Sequence, residues 1–122
     1  MANILIVDDA SFMRSSLKFI VESAGHEVVG LATNGEEAVG MFEKHRPDIV
    51  TLDILMSGGD GISALRKIMK SDPGARVIMI SAMGHEEKQK EAKDLGAAGF
   101  IRKPFNAEAI LAEIEKIGSH RL

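Results

Sequence analysis

Residues 4–14 read ILIVDDASFMR: four branched apolar side chains that stop at two adjacent aspartates, with helical spacing taking over directly afterwards. An apolar run this short, rich in Ile and Val and closed by polar residues, is the pattern of a strand buried on both faces. Beyond it, Met13, Leu17, Ile20, Val21 and Ala24 recur at steps of three and four, the spacing of one face of a helix. The alternation repeats along the chain. EVVGLA, DIVTLD, RVIMIS and the shorter AAGFI are four further strands, while Ile62, Leu65, Ile68 and Met69, and later Ile110, Leu111, Ile114 and Ile117, mark amphipathic helices. Strands alternating with helices require right-handed crossovers, so the expectation is an α/β fold whose five-stranded, mostly parallel sheet is covered by helices on both faces.

Punctuation supports the same cuts. Gly25 and Pro47 follow the first two helical stretches, Asp72-Pro73-Gly74 follows the third, and Asn34, Asp60 and Asn106 stand where N-caps are wanted. Gly40, inside the second helix, costs about 1 kcal/mol against alanine, and nothing in the sequence explains it. The segment GHEEKQKEAKDLG, residues 84–96, has Ala92 and Leu95 as its chief apolar anchors. Its charges read as a solvated face, and its sparse anchoring as a movable helix.

Composition narrows the function. At 122 residues with 45% hydrophobic side chains, the chain is expected to form one domain, residues 1–122, around a single core. With no cysteine, disulfides and thiolate metal sites are excluded, and ILIV is cut short by acid too early to serve as a signal peptide. A cytoplasmic protein is expected. A net charge of -3 offers no basic field for a phosphate backbone, and no apolar run is long enough for a membrane span. Neither DNA nor membrane is expected as a partner.

In open parallel sheets, ligands bind in the crevice beyond the carboxyl ends of the strands. The first strand delivers Asp8 and Asp9 there, the third Asp53, the fourth Ser81, and the fifth Lys103 just ahead of Pro104. Singly, each has a plain reading: Asp9 an N-cap, Asp53 a turn residue, Ser81 a cap for a helix starting near Gly84, Lys103 a solvated charge. Together they say more. Crowded carboxylates repel one another and are kept where a cation neutralises them, and hard oxygen ligands that leave water in place suit Mg²⁺. An aspartate beside Mg²⁺ and a lysine can act as a nucleophile toward a phosphoryl group, since both cations take up charge on the transferring oxygens.

At these residues the chain resembles a response-regulator receiver domain, the CheY-like family of two-component signalling. IVDD carries the acidic pair, TLDILM an acceptor aspartate, ISA a hydroxyl and FIRKPF a lysine followed by proline. The resemblance implies a doubly wound, flavodoxin-like sheet in the order 2-1-3-4-5. It makes Asp53 the phosphoacceptor, places Mg²⁺ on Asp8, Asp9, Asp53 and the main-chain carbonyl of Leu55, and gives Ser81 and Lys103 to the phosphoryl group. Ser81 and Phe100 fall at the switch positions, the latter an aromatic that changes rotamer on activation. SFMR and SAMG look most like single-domain chemotaxis regulators.

The implied function is a phosphorylation-activated regulator in chemotaxis or motility. Its partners would be a histidine kinase or phosphotransfer domain, an effector such as a flagellar motor switch component, and a phosphatase. As a monomer it would catalyse only its own phosphorylation and slow dephosphorylation. A stand-alone phosphorelay receiver is the alternative. A Mg²⁺-dependent phosphohydrolase is disfavoured because Ala10 and Leu55 stand where an acid-base aspartate would follow Asp8 or Asp53 by two residues. Only residues 118–122 follow the last helix, so no DNA-binding output domain is expected, and the effector face falls on the fourth helix, fifth strand and fifth helix. Phe12 and Arg14 mark the first helix as the face for the phosphodonor. The family's proline after the acceptor-loop methionine is missing here: Met56-Ser57-Gly58-Gly59-Asp60-Gly61 has three glycines instead, which predicts a flexible loop.

Overall fold

A computed structural model describes residues 1–56, 59–82 and 86–118, with residues 59 and 60 described by backbone only. Ser57, Gly58, Met83, Gly84 and the Asp60 side chain, all singled out in the sequence, lie outside the described residues. The strands are β1 (Asn3–Val7), β2 (Glu27–Ala32), β3 (Ile49–Asp53), β4 (Val77–Ser81) and β5 (Gly99–Arg102). Five helices alternate with them: α1 (Ser11–Ser23), α2 (Gly35–His45), α3 (Gly61–Ser71), α4 (Glu86–Asp94) and α5 (Ala107–Gly118). The strands pair in parallel in the order β2-β1-β3-β4-β5, as the resemblance implied.

Alternation along the strands divides the core in two. Ile4, Ile6, Ile49, Ile78, Ile80 and Ile101 point to one face, where Leu17 and Val21 of α1 and Ile110, Ile114 and Ile117 of α5 cover them. Leu5, Val7, Val50, Leu52, Val77 and Met79 point to the other, under Phe42 of α2, Leu65 and Ile68 of α3, and Ala92 of α4. The central strands are therefore apolar along most of their length, with Thr51, Asp53 and Ser81 as buried polar exceptions. β2 departs from that pattern: as an edge strand it is only partly buried, and Leu31 is exposed.

The expected caps hold at two helices. Asn34 Oδ1 accepts from Glu37 N and Asn106 Oδ1 from Ala109 N, each at 2.8 Å. Asp9 is not a cap: α1 has Ala10 at that position and no side-chain capping bond, and Ala24, counted above as an apolar contact, is exposed. Arg46, in the left-handed region at φ 45°, ends α2 one residue before Pro47. The two ends of the acceptor loop are held together. Leu55–Met56 pairs antiparallel with Gly59–Asp60, and Gly61 N donates to Ile54 O at 2.5 Å.

Candidate metal and phosphoryl site

The parallel sheet brings the carboxyl ends of β1, β3 and β5 to one edge. Ile49, Thr51 and Asp53 alternate onto the α1/α5 face of β3, and the same pleat carried past β1 and β5 brings Asp8 and Lys103 to that side. The main chain fixes the approach: Lys103 N donates to Ser81 O at 2.7 Å, and Asp8 N to Ala32 O at 3.1 Å. As a result Lys103 Nζ lies 3.0 Å from Asp53 Oδ2 and 3.7 Å from Asp8 Oδ2. Carboxylate oxygens of Asp8, Asp9 and Asp53 all lie within 4.8 Å of one another.

Burial differs sharply within this group. Asp8 is fully buried, Asp53 is 5% exposed, and Asp9 opens to solvent. Asp8 Oδ1 accepts from Ala10 N at 2.9 Å, and its main-chain carbonyl accepts from the Arg14 guanidinium at 2.7 Å. Among the described residues, Asp8 Oδ2 is buried without a hydrogen bond, the lysine being too far away to form one. A buried anionic oxygen left so is costly. A divalent cation held by Asp8, Asp9 and Asp53 would satisfy it, and an all-oxygen donor set open to solvent at Asp9 fits Mg²⁺.

Burial pushes the Asp53 carboxyl above the ordinary range for aspartate. The Lys103 ammonium pulls it back, the Asp8 charge lifts it further, and Leu55 N, donating to Asp53 Oδ1 at 3.3 Å, lowers it. Desolvation thus outweighs the carboxylate repulsion that the sequence emphasised. A carboxylate made more basic by burial, with a cation on one oxygen, is a competent nucleophile.

Ser81 and Phe100 stand apart from the acidic group. Alternation places Ser81 with Val77 and Met79 on the α4 face, and Phe100 packs half-buried against the same cluster. Ser81 is 1% exposed and its hydroxyl accepts from Gln89 Nε2 at 2.7 Å; its reading as a cap for a helix starting near Gly84 lies outside the described residues. Gln89 sits in what the sequence offers as a solvated face, and only the return of α4 over β4 reveals its contact. Leu55 is 49% exposed beside Asp53. Gly61 supplies close approach as well as flexibility: a β-carbon there would collide with the Asp53 carbonyl.

Two open clefts lie on the surface, the first of them at this edge. One, about 640 Å³, lies between Phe12, Met13 and Ser16 of α1 and Pro104 and Phe105, with Lys103 in its wall. The other, about 670 Å³, lies along α4, β5 and α5, where Gln89, Lys90, Phe100 and Glu113 line it. Among the described residues, no helix is long and apolar enough to cross a membrane.

Known proteins share this sequence pattern and fold. Residues 4–115 match the family model described as response regulator receiver domain. The chain is 49% identical over 114 residues to "Chemotaxis protein CheY" of Thermotoga maritima, covering 93% of this chain and 95% of that protein. It is 51% identical over 116 residues to the protein of the same name from Listeria monocytogenes, covering 95% and 98%. Among solved structures, the CheX-CheY-BeF3-Mg+2 complex from Borrelia burgdorferi superposes with a TM-score of 0.91 at 43% identity, over 95% of this chain and 88% of that one. With its five-stranded order, its acidic edge and these relatives in agreement, the chain belongs to the receiver domains of two-component response regulators.

Proposed function

We propose that this chain is a phosphorylation-activated response regulator in chemotaxis and motility, accepting a phosphoryl group on Asp53 from a histidine kinase or its phosphotransfer domain. The observation that carries this reading is the buried Asp53 carboxylate, gripped by Lys103 at 3.0 Å beside Asp8 Oδ2, which accepts no hydrogen bond among the described residues. An Asp53 oxygen forms the new O–P bond as the P–N bond of the donor phosphohistidine breaks, and the electron pair leaves with the imidazole. Lys103 stays with the charge on the transferring oxygens. Asp8, Asp9, Asp53 and the Leu55 main-chain carbonyl are the groups that would hold Mg²⁺, whose positive charge offsets that of the phosphoryl oxygens. The Ser81 hydroxyl then turns to a phosphoryl oxygen, and Phe100 repacks with it.

The cleft at Phe12, which is 75% exposed, receives the phosphodonor. The cleft at Lys90 and Phe100 receives the effector, a motor switch component. The names of the Thermotoga and Listeria relatives support the pathway, and the Borrelia complex supports Mg²⁺ and a CheX-like partner. The receiver, residues 1–122, acts as a cytoplasmic monomer. Incubation with Mg²⁺ and acetyl phosphate, followed by intact-mass measurement and peptide mapping, tests the chemistry. One phosphoryl group on Asp53, lost in excess chelator, is expected; labelling elsewhere or independent of metal would overturn it.

A further inference from the structure

Gln89 Nε2 donates to Ser81 Oγ at 2.7 Å, a bond that the phosphoryl chemistry does not require. Its setting is unusual for α4. That helix buries Ala92 alone, and its Arg66–Glu91 ion pair, at 3.0 Å, has side chains 56% and 46% exposed. Such a pair holds little in water. Ser81 as a whole is 1% exposed, so the Gln89 bond is made away from solvent at the C-terminal end of β4, where a lost partner is costly.

The hydroxyl is a single oxygen that can occupy one of a few staggered positions. It now lies against α4. Asp53, on the neighbouring strand, alternates onto the opposite face of the sheet, and no hydrogen bond joins Ser81 Oγ to Asp8, Asp53 or Lys103 among the described residues. Reaching a phosphoryl oxygen on Asp53 therefore means leaving Gln89.

We infer that Gln89 is a positioning residue: it holds the Ser81 hydroxyl on α4, sets how readily the site accepts a phosphoryl group, and releases α4 when that group captures the hydroxyl. The inference rests on the roles proposed for Asp53 and Ser81. Linkage makes the effect reciprocal, so weakening the hold on Ser81 tightens whatever binds at Asp53 by the same factor.

Titration with BeF3⁻ in excess Mg²⁺, followed by fluorine NMR of the bound fluoride, tests it without a protein partner. Gln89→Leu removes the donor and is expected to lower the BeF3⁻ midpoint about threefold to tenfold, the worth of one net hydrogen bond. Gln89→Glu replaces the donor with a carboxylate that accepts the Ser81 proton, and it should raise the midpoint. A helix merely loosened by substitution would move both variants the same way. In a Ser81→Ala background both shifts should vanish. Amide exchange in α4 should quicken on BeF3⁻ addition to the wild type and already be fast in Gln89→Leu. An unchanged midpoint in Gln89→Leu, or shifts that persist without the Ser81 hydroxyl, would overturn the inference alone. A wild type that takes up no BeF3⁻, or uptake that survives Asp53→Asn, would overturn the proposed function and this inference with it.

Discussion

Gly61 lies so close to the main-chain carbonyl of Asp53 that a β-carbon at position 61 would run into it. Neither partner can yield. The carbonyl belongs to the central strand β3, and Gly61 is the first residue of α3, buried beside Ile54. Gly61→Ala should therefore cost at least about 2 kcal/mol of stability. Gly40 is the contrast: it is exposed on α2, with nothing within 4 Å of an added β-carbon, so Gly40→Ala should gain about 0.5–1 kcal/mol. Urea melts of the two variants should diverge in sign; equal effects would refute the steric role of Gly61.

Asp53→Asn should abolish phosphorylation and stabilise the metal-free fold. Because burial and the Asp8 charge raise the Asp53 carboxyl against the pull of Lys103, the unfolded chain gives up this proton first. The contribution to stability is complete below the unfolded value, about 3.9, and is lost as pH rises through the folded one. The advantage of Asp53→Asn over wild type should thus grow from acid toward neutral pH, reaching on the order of 1 kcal/mol. Added Mg²⁺ should stabilise the wild type by mass action and reverse the ranking. A wild type whose stability rises across that interval without metal would contradict the assignment.

Thr51 Oγ1 is buried in β3 among isoleucines and has no hydrogen-bond partner among the described residues. Thr51→Val keeps the shape and removes an unsatisfied hydroxyl, so a gain of about 1 kcal/mol is expected in thermal or urea unfolding. A loss of that size would mean that the hydroxyl is satisfied in solution.

Lys103→Ala and Ser81→Ala should each retain some phosphorylation by acetyl phosphate yet lose the phosphorylation-dependent gain in effector binding. The ammonium on Asp53 and the buried hydroxyl are the groups through which a phosphoryl oxygen can pull on β5 and β4. Calorimetry with the effector, before and after phosphorylation, decides the matter; a full gain in Lys103→Ala would remove the lysine from switching.

Leu55, exposed beside the acceptor, cannot hydrogen-bond a water in line with an aspartyl phosphate. Self-dephosphorylation should be slow. Leu55→Asn together with Met83→Glu should speed it roughly tenfold, about 1.4 kcal/mol of barrier. An unchanged lifetime in the double variant, lengthened instead by Ser57→Pro, would assign the rate to the loop.

The acidic edge was legible because strand ends are legible. Asp8, Asp53 and Lys103 each close or follow an apolar run, and a parallel sheet gathers such ends whatever the details of packing. What escaped notice depends on which element folds over which. Gln89 and Ser81 are eight residues apart and meet because α4 returns over β4. Arg14, marked as a docking residue, is also tied to the Asp8 carbonyl. Gly61 looked like slack in a loop, since sequence shows that a side chain is missing but not what stands in its place.

Lys103 contacts Asp53 across 50 intervening steps of the chain, and strand β1 must already lie between β2 and β3 before Asp8 joins them. Contacts of such separation are among the last that a folding chain can close. Until β5 docks, the edge holds carboxylates without their lysine, and the half-built protein is repelled from its own ligand geometry. The carboxylates that would hold Mg²⁺ come from the ends of β1 and β3 alone, so the metal can relieve that repulsion before Lys103 arrives, and added Mg²⁺ should speed refolding as well as slow unfolding.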